Sequence, residues 1–489
     1  MLTIAIVLFI LACFLTGIYV HDVRQSQHTI LRNYPVIGHF RYFAETWGEY
    51  MRQYQYLPDW VERPFNRLER SWIYRSAKNV SNYISFGSEA TPSFAFKNAA
   101  FPVLEEDRRG FPGLQIGITE GPGACAKPFM AKSFFNISGM SYGALSHAAV
   151  TALSKGAKQA GVWMGTGEGG LSPYHLQGGA DIIFQIGTAK YGVRDAQGNL
   201  DEARLRSIGG LEQVRMIEVK LAQGAKPGKG GVLPGAKVTA EIARIRGIPE
   251  GADSISPNRH YDIADAGQLL DSIARVRELT GRPVGVKTAI GGWDFMKELC
   301  EAILRRGLQD APDFLVIDGG EGGSGAAPQT LMDHMSLPIA EALPRVVDAL
   351  VEAGLRERIR VVASGKLVTS ARAAWALCAG ADFVNTARGP MFALGCIQAM
   401  RCHTNTCPTG VTTHNKRLQR GLVVEEKSER IANYIRNMNK EIDMIAHSCG
   451  CRHARALRRE HVRIVETAGR SVAMNQLYPG RRVDGAREH

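Results

Sequence analysis

Short apolar runs alternate with amphipathic, helix-like stretches from about residue 134 onward, and this alternation restricts the fold more than any other feature. Each run leads into glycine or polar residues, as parallel strands do when they connect to helices. Eight such units are the number that closes a parallel sheet into a (β/α)8 barrel. The predicted strands cover residues 134–140, 161–166, 182–187, 217–224, 283–289, 314–320, 359–365 and 383–388.

The segment Leu2–Val20 contains 19 residues without a charge, which is long enough to cross a bilayer core as a helix. A cleaved signal peptide needs a basic start and a small-residue cleavage site, and the sequence shows neither. Because Arg24, Arg32 and Arg41 follow the run, the positive-inside bias predicts an uncleaved single-pass anchor with the body of the protein in the cytoplasm. The tryptophans and tyrosines of residues 34–74 either rest at the headgroup level or pack on the body, and we expect packing.

The 489-residue length suits one barrel-sized domain with extensions better than several small domains. We predict an α/β fold: a (β/α)8 TIM barrel with an N-terminal transmembrane helix and a helical carboxyl-terminal extension. A doubly wound Rossmann sheet is the alternative, but no GxGxxG motif follows a first strand. Residues 1–22 are the predicted anchor, and residues 23–110 are a juxtamembrane region that packs on the barrel. Residues 111–415 are the barrel domain with its cysteine loop, and residues 416–489 are the extension.

The net charge of +12 does not predict a nucleic-acid partner, because the basic residues are scattered along the chain. Their densest patches, at residues 63–78 and 452–463, suit anionic lipid or an acidic electron-donor protein better.

Glycine-rich and polar segments follow the predicted strands, which places them at the carboxyl-end face where barrel enzymes carry out chemistry. Phosphate groups in barrels usually bind the loops after strands seven and eight, and a neighbouring glycine loop extends this cradle. FMN is the redox-active candidate ligand, and ordinary turn glycines are the alternative. The candidate residues are Gly322, Gly323, Ser364, Gly365, Lys366 and Arg388.

Three lysines fall at or after predicted strand ends. Lys287 ends PVGVKTA, where burying an ammonium group is costly unless it meets an anion. A reduced flavin is anionic near N1 and O2, so a cation there would stabilise it. Lys220 and Lys226, with Gln223 between them, suit a dicarboxylic acid such as a 2-oxo acid. Lysines that snorkel from strand ends are the alternative.

Three further polar residues follow strand ends or lie in their loops. Glu168 occurs in TGEGGL, and His260 and Asp262 occur in SPNRHYDIAD. They are candidates for binding substrate or moving protons, and each equally suits a helix cap or a turn.

Cys396, Cys402 and Cys407 lie at the spacing CxxxxxCxxxxC, with a proline directly after the last thiol. Thiolates bind iron–sulfur clusters, and three protein ligands instead of four indicate a [3Fe-4S] cluster. Zinc is the main rival, but its paired CxxC spacing is absent, and three unrelated buried thiols are a further alternative. Cys449 and Cys451 are one residue apart and are predicted to have no metal role.

These motifs resemble the central and flavin domains of glutamate synthases over about residues 90–450. ISGMSYGALS, TGEGGL, KLAQGAKPGKGGVLPGAKV, SPNRHYDI, DGGEGGSGAAP and CHTNTCPTGV occur in the family's order, and the cysteine spacing equals that of the family's three-iron cluster. The resemblance implies an FMN-binding barrel with the cluster beside the flavin. It also implies that FMNH2 delivers hydride from N5 to 2-iminoglutarate, formed from 2-oxoglutarate and ammonia, to give L-glutamate, while the cluster passes single electrons to the flavin.

The resemblance also assigns roles to individual residues. The three closely spaced cysteines are implied as cluster ligands. Lys220 and Lys226 are implied to contact 2-oxoglutarate and the flavin, and Glu168 is implied to lie on the substrate side. The implied flavin contacts are Ser141, Lys287, Gly323 and Gly365.

The sequence departs from the family at several points. Lys229 and Val232 in KPGKGGVLPG replace an acid and an amide of the family's common KPGEGGQLPG, so the expected substrate is 2-oxoglutarate or a similar 2-oxo acid. No amino-terminal cysteine nucleophile or amidotransferase domain is recognisable, so ammonia is expected from solution or from a separate subunit. No nucleotide-binding fingerprint is present, so the expected electron donor is ferredoxin or an NADPH-dependent flavoprotein.

The leading hypothesis is a glutamate synthase-like oxidoreductase acting on CH–NH2 donors. One rival is an FMN oxidoreductase for another 2-oxo acid or amine, favoured by Lys229 and Val232. A second rival is a membrane-bound electron-relay subunit, which predicts reducible cofactors without turnover of a small acid.

Overall fold

The computed structural model describes residues 1–89, 92–110 and 112–480, which divide into a unit at Met1–Ser71 and a larger unit that begins at Trp72. The α-helices are α1 (Leu2–Arg24), α2 (Thr29–Asn33), α3 (His39–Met51), α4 (Arg67–Ala77), α5 (His147–Ala160), α6 (Pro173–Leu176), α7 (Glu202–Gly210), α8 (Ala240–Arg246), α9 (Ala266–Thr280), α10 (Asp294–Arg306), α11 (Gln329–His334), α12 (Ile339–Glu352), α13 (Ser370–Ala379), α14 (Arg388–Leu394), α15 (Lys416–Gln419), α16 (Val424–Ser448) and α17 (Met474–Leu477). The strands are β1 (Phe94–Phe96), β2 (Leu114–Ile116), β3 (Phe129–Ala131), β4 (Phe135–Ile137), β5 (Trp163–Gly165), β6 (Asp181–Ile186), β7 (Val214–Lys220), β8 (Val232–Leu233), β9 (Ser254–Ile255), β10 (Val284–Thr288), β11 (Phe314–Asp318), β12 (Arg360–Ser364), β13 (Phe383–Thr386), β14 (Val462–Thr467) and β15 (Arg470–Ala473).

Eight parallel strands close into a barrel in the order β4, β5, β6, β7, β10, β11, β12 and β13, and β13 pairs with β4 to complete it. Each strand coincides with one of the eight predicted apolar runs. The predicted (β/α)8 TIM barrel is therefore confirmed. The register places Lys220 opposite Lys287 at the ends of β7 and β10, and Asp318 opposite Ser364 at the ends of β11 and β12.

Capping residues delimit the helices that separate the strands. The Ser146 hydroxyl accepts a hydrogen bond from the backbone N–H of Ala149 at the start of α5, which satisfies one of the free amides of the first turn. The helix ends at Gly161, whose φ of +68° is a left-handed conformation that glycine adopts without strain. The Asp265 side chain caps α9 in the same way.

The amino ends of the barrel strands are filled by apolar side chains. The buried cluster there includes Trp163, Met216, Phe314 and Phe383, each at or near the first residues of its strand. The antiparallel pair β2–β3 contributes further side chains to the same cluster. This end is a packed core, so chemistry is confined to the opposite, carboxyl end.

The predicted carboxyl-terminal extension contains the 25-residue helix α16 and, in addition, the strands β14 and β15. β14 pairs with β1, so a segment that precedes the barrel in the sequence and a segment that follows it meet in one three-stranded sheet. Trp72 packs edge-on against Tyr434 of α16, and its indole N–H lies 3.1 Å from the carboxylate oxygens of Glu441. The packing expected of the aromatic segment therefore holds for Trp72.

The unit Met1–Ser71 contains α1, α2, α3 and a short π-helical turn at Arg52–Tyr56. Helix α1 is long and apolar enough to cross a membrane, and none of its apolar window is buried. Trp47 and Trp60 expose 53% and 59% of their surface.

Candidate functional site

A cavity of about 150 Å³ lies at the carboxyl ends of the barrel strands and brings together residues from most of the predicted loops. Of the residues that the structure describes, six cationic side chains and one carboxylate, that of Glu168, line it. This excess of positive charge favours anionic ligands. The predicted site residues that line it are Ser141, Glu168, Lys220, Lys226, Lys287, Gly323, Arg388 and Cys402.

Lys220 and Glu168 form an ion pair within this cavity. Lys220 is the last residue of β7, and its Nζ lies 3.0 Å from Oε2 of Glu168 in the loop after β5. The same ammonium group donates a 2.7 Å hydrogen bond to Oε1 of Gln223. Lys220 and Gln223, which the sequence analysis grouped together, therefore do meet in space, and Glu168 joins them.

Lys226 completes this side of the cavity. Its Nζ donates a 3.0 Å hydrogen bond to the carbonyl oxygen of Ala326, which ties the KPG loop to the GGSGA loop. Burial lowers the pKa of Lys226. Burial alone would raise the pKa of Glu168, but the nearby Lys220 and Lys226 ammonium groups outweigh it and lower that pKa to about 2. Glu168 is therefore an anion at neutral pH and not a proton donor.

Arg246 is a lining residue that the sequence analysis missed. It ends α8, is buried, and its guanidinium lies 5.2 Å from the ring centre of Tyr191. Its Nη1 donates a 3.0 Å hydrogen bond to the Ser254 hydroxyl. A forked guanidinium held in this way suits a carboxylate. The helical position of Arg246 carried no signal, because arginine at the end of a helix usually stabilises the helix dipole.

Lys287 already has an anionic partner inside the protein. Its Nζ lies 3.9 Å from Oδ2 of Asp318, the last residue of the neighbouring strand β11. Below it, Gln185 donates a hydrogen bond to the buried carboxylate of Glu218, and burial raises the pKa of Glu218. Burial of Lys287 therefore does not by itself require an external anion, although the side chain lines the cavity.

The structure places some residues of the predicted phosphate cradle at the cavity and others away from it. Gly323 and Arg388 line the cavity and touch each other, since a Cβ at Gly323 would lie 2.9 Å from Nε of Arg388. Arg388 also donates a 2.6 Å hydrogen bond to the carbonyl oxygen of Ser324. The four predicted cradle residues that do not line the cavity are Gly322, Ser364, Gly365 and Lys366.

The cysteine loop reaches the cavity through Cys402. Burial raises the pKa of Cys396 to about 11, and the other two thiols contribute to this shift, so the three lie close enough to interact electrostatically. Burial also acts to raise the pKa of Cys407, but hydrogen bonds from Thr412 and Thr409 lower it overall. Within residues 1–89, 92–110 and 112–480, no group of three His, Cys, Asp or Glu side chains is arranged to hold a metal ion.

Lys237 fastens the cysteine loop to the barrel, and sequence reasoning missed it too. Its side chain is buried, and its ammonium group donates hydrogen bonds of 2.7, 3.1 and 2.9 Å to the carbonyl oxygens of Ala144, Cys402 and Thr412. Burial lowers the pKa of Lys237 to about 8, although the nearby Cys402 and Cys407 thiols act to raise it. The segment PGAKV gave no hint of this role.

The remaining candidates surround the site without lining this cavity. Nε2 of His260 lies 2.9 Å from the carbonyl oxygen of Lys220, and Asp262 pairs with Lys190 at 2.7 Å. Cys449 and Cys451 are free thiols elsewhere in the barrel unit. These contacts favour supporting roles for His260 and Asp262.

The two positions that depart from the family pattern both border the site. Val232 lines the main cavity. Lys229 lines a smaller, adjoining cavity that shares Glu168, Lys220 and Lys226 with the main one.

Comparison with known proteins identifies the family. The family model for the conserved region in glutamate synthase matches residues 105–452. The glutamate synthase large subunit-like protein YerD of Bacillus subtilis is 42% identical over 91% of this chain and 91% of its own length. The archaeal glutamate synthase [NADPH] of Methanocaldococcus jannaschii is 38% identical over 70% of this chain, which spans 62% of that relative's length.

Similarity to solved structures is much lower. A monotopic membrane protein, (S)-mandelate dehydrogenase, aligns over 86% of this chain with 11% sequence identity and a TM-score of 0.45, which is too low to assign a function. The family match and the sequence identities are decisive instead: the chain belongs to the glutamate synthase family and is an oxidoreductase of the glutamate synthase type.

Proposed function

We propose that this protein carries out the reductive amination of 2-oxoglutarate, through 2-iminoglutarate, to L-glutamate. FMN would bind at the carboxyl end of the barrel, and a [3Fe-4S] cluster would bind Cys396, Cys402 and Cys407. The observation that carries the proposal is the single cavity in which six cations surround Glu168 and which Cys402 also borders. This arrangement suits an anionic substrate and a redox centre at adjacent walls.

Three side chains are placed to hold a 2-oxo acid. Lys220 and Lys226 present ammonium groups on one wall, and Arg246 presents a guanidinium from α8. Two carboxylates of a dicarboxylic acid would find separate cationic partners among them. Glu168 would orient Lys220 and balance part of its charge, since its low pKa keeps it ionised.

The residues present also fit FMN in the same cavity. Gly323 and Arg388 lie in close contact and both line the cavity, where the guanidinium of Arg388 would bind the phosphate. Lys287 and Ser141, the other flavin contacts that the resemblance implies at this cavity, line it as well. Bound FMN would supply the hydride for the reduction, and the ammonium group of Lys287 would favour its reduced, anionic form.

The donor set of the cysteine loop fits an iron–sulfur cluster. Each thiol of such a cluster binds a different iron, so its three ligands stand further apart than ligands of a single ion. Hydrogen bonds from Thr409 and Thr412 favour the thiolate of Cys407, the form that binds metal. The bound cluster would supply electrons one at a time, received from ferredoxin or from an NADPH-dependent flavoprotein.

We further propose that α1 is a single-pass anchor with the barrel in the cytoplasm. Its 23 residues and exposed apolar surface support the anchor, and Arg24, Arg32 and Arg41 support the orientation. Ammonia would come from solution or from a separate subunit. The domain boundaries predicted from the sequence remain part of this proposal.

Anaerobic purification of the full chain in detergent, followed by flavin and iron analysis and EPR spectroscopy, tests the cofactors. The proposal predicts FMN and a three-iron EPR signal. If neither is present after anaerobic reconstitution with FMN, iron and sulfide, the proposed chemistry is wrong. Reducible cofactors without turnover of any 2-oxo acid would instead indicate the electron-relay subunit.

A different 2-oxo acid or amine is the second candidate, and the cavity walls favour considering it. Val232 places an apolar side chain in the main cavity, and Lys229 adds a cation to the adjoining one. Amination assays over a panel of 2-oxo acids would separate the candidates. The Val232→Gln and Lys229→Glu variants, which restore the family pattern, should shift the preference towards 2-oxoglutarate if a different acid is the substrate.

A further inference from the structure

Helix α3 carries large aromatic side chains on one face and leaves them exposed. Phe40, Phe43 and Trp47 recur at spacings of three and four residues, so they project from the same side of the helix. They expose 75%, 56% and 53% of their surface. The ring centres of Phe40 and Phe43 are 6.2 Å apart, and those of Phe43 and Trp47 are 5.8 Å apart. The three rings therefore form one continuous aromatic stripe.

The opposite face of α3 is polar. Arg41 and Glu45 form an ion pair of 2.9 Å across one helical turn, and Glu49 continues the same face. A short helix with an apolar stripe on one side and charges on the other is typical of helices that lie in a membrane interface. In water, such a stripe would be a costly exposed apolar patch.

A buried carboxylate ties the start of α3 to the end of α1. Asp22, in the last turn of α1, accepts a 2.9 Å hydrogen bond from the backbone N–H of Val36. Its carboxylate oxygens both lie 2.9 Å from Nε2 of His39, the first residue of α3. From Leu2 to Asp22 the helix rises about 30 Å, which is the thickness of a bilayer's hydrocarbon core. The first turn of α3 is therefore held at the level where α1 would leave that core.

We propose that the aromatic stripe of Phe40, Phe43 and Trp47 rests in the headgroup region of the bilayer that α1 enters. This inference rests on the proposed anchor and is independent of the proposed chemistry. The bilayer is the favoured occupant because Asp22 joins α3 to a helix whose exposed apolar surface already requires lipid. Indole rings also concentrate at the headgroup level, where an apolar ring and a polar N–H are both accommodated. The chain would thus have a two-part anchor, with one spanning helix and one helix along the surface.

Fluorescence quenching by brominated lipid tests the position of Trp47. The full chain is placed in phosphatidylcholine nanodiscs with plain acyl chains or with chains brominated near the headgroup, and the difference between wild type and Trp47→Phe gives the emission of Trp47. The matched control is the double variant Trp47→Phe with Glu49→Trp, which moves the indole about 200° around the same helix. We expect the Trp47 emission to lose most of its intensity in brominated discs and the emission from position 49 to change little.

Each other outcome overturns the inference. If the chain enters the discs but Trp47 is not quenched, the stripe faces protein or water instead of lipid. Equal quenching at positions 47 and 49 would show that α3 has no lipid-facing side. If the chain does not enter the discs at all, the anchor itself is wrong. Amination activity measured on the same samples reports separately on the proposed chemistry.

Discussion

The ammonium group of Lys220 and the carboxylate of Glu168 meet at 3.0 Å, although the two residues lie 52 positions apart in the sequence. The lysine lies at the end of β7 and the glutamate lies in the loop after β5, so the two side chains meet because the barrel closes. Among the described residues, Glu168 is the one carboxylate beside the cations that line the cavity. Its charge therefore orients Lys220 through their ion pair and balances part of the charge of Lys226.

Replacing Glu168 with glutamine keeps the side-chain size and removes the charge. Lys220 and Lys226 then lose their shared anionic partner, and we expect kcat/KM for the 2-oxo acid to fall about 100-fold, with the flavin content unchanged. Steady-state kinetics and flavin absorbance measure both. Glu202→Gln, which removes an α7 carboxylate paired with Arg275 of α9, is the control and should retain activity. Full turnover in Glu168→Gln would contradict this role.

Arg246→Lys tests the guanidinium of α8. A lysine keeps the charge but cannot offer two parallel donors to a carboxylate, so we expect KM for the acid to rise about tenfold or more. The control is Arg194→Lys, because Arg194 also lies over the Tyr191 ring, at 5.9 Å, without lining the cavity. An equal change in both variants would mean that the Tyr191 packing, and not substrate binding, explains the effect.

The proposed role of the cysteine loop can be tested by measuring the metal content of cysteine variants. Cys402→Ser and Cys407→Ser should lose the three-iron EPR signal and most of the iron, because serine is a poor ligand for such clusters. Both variants should still bind FMN. Cys300→Ser and Cys449→Ser, which change free thiols outside the loop, should keep the signal. Loss of iron in Cys449→Ser but not in Cys402→Ser would place the metal elsewhere.

The burial of His175 predicts that the folded protein becomes less stable at acidic pH. It is buried and neutral: burial lowers its pKa to about 4, although the hydrogen bond to the Met140 carbonyl acts to raise it. Its Nδ1 accepts from the Ser172 backbone N–H at 3.2 Å, which protonation would break. An unfolded histidine titrates near 6.5, so the unfolded chain binds more protons between pH 6.5 and 4 and stability falls as pH falls through that window.

We expect His175→Gln to remove part of this pH dependence while lowering stability at pH 7. Between pH 7 and pH 5, His175 should account for a decrease of about 1–2 kcal/mol in the free energy of unfolding. Urea unfolding of both proteins at several pH values measures it. Identical pH profiles for the wild type and the variant would show that His175 is not buried as described.

Gly224→Ala tests the close approach of two loops beneath the cavity. A Cβ at Gly224 would lie 1.8 Å from the carbonyl oxygen of Gly319, so the loop after β7 or the loop after β11 must move. We expect destabilisation of about 2–4 kcal/mol by thermal or urea unfolding. Gly210→Ala is the matched control, because nothing lies within 4 Å of its Cβ position, and it should leave stability nearly unchanged. A stable Gly224→Ala variant would contradict the loop contact.

The barrel could be predicted because its signal is local and repeated. Each apolar run had to be a buried strand, and the loop after it had to lie at the carboxyl end, which placed Glu168, Lys220 and Lys226 around one cavity. The position of Cys402 beside the same cavity was expected from the family resemblance alone. The same logic failed for Gly365, which follows β12 but does not line the cavity. Loop position fixes the end of the barrel at which a residue lies, but not whether it turns inwards.

Lys237 and Arg246 show what the sequence could not reveal. Both follow β8 in a region where no apolar run predicted a strand, and both reach the site through contacts that only the folded chain makes. Lys237 finds its three carbonyl partners in two distant loops. For Trp47 of the α3 stripe, the sequence left headgroup contact and packing as alternatives and favoured packing, because an indole ring suits both. Its exposure is known from the structure alone.

Stopped-flow oxidation of the reduced protein tests the central claim most directly. The full chain, reduced anaerobically in detergent, is mixed with 2-oxoglutarate, with ammonium, or with both, and the flavin absorbance is followed. Reductive amination predicts that the flavin reoxidises when both compounds are present, that neither alone has this effect, and that L-glutamate accumulates. A flavin that stays reduced with both compounds present would contradict the proposed reaction, while the barrel and its cationic cavity would stand.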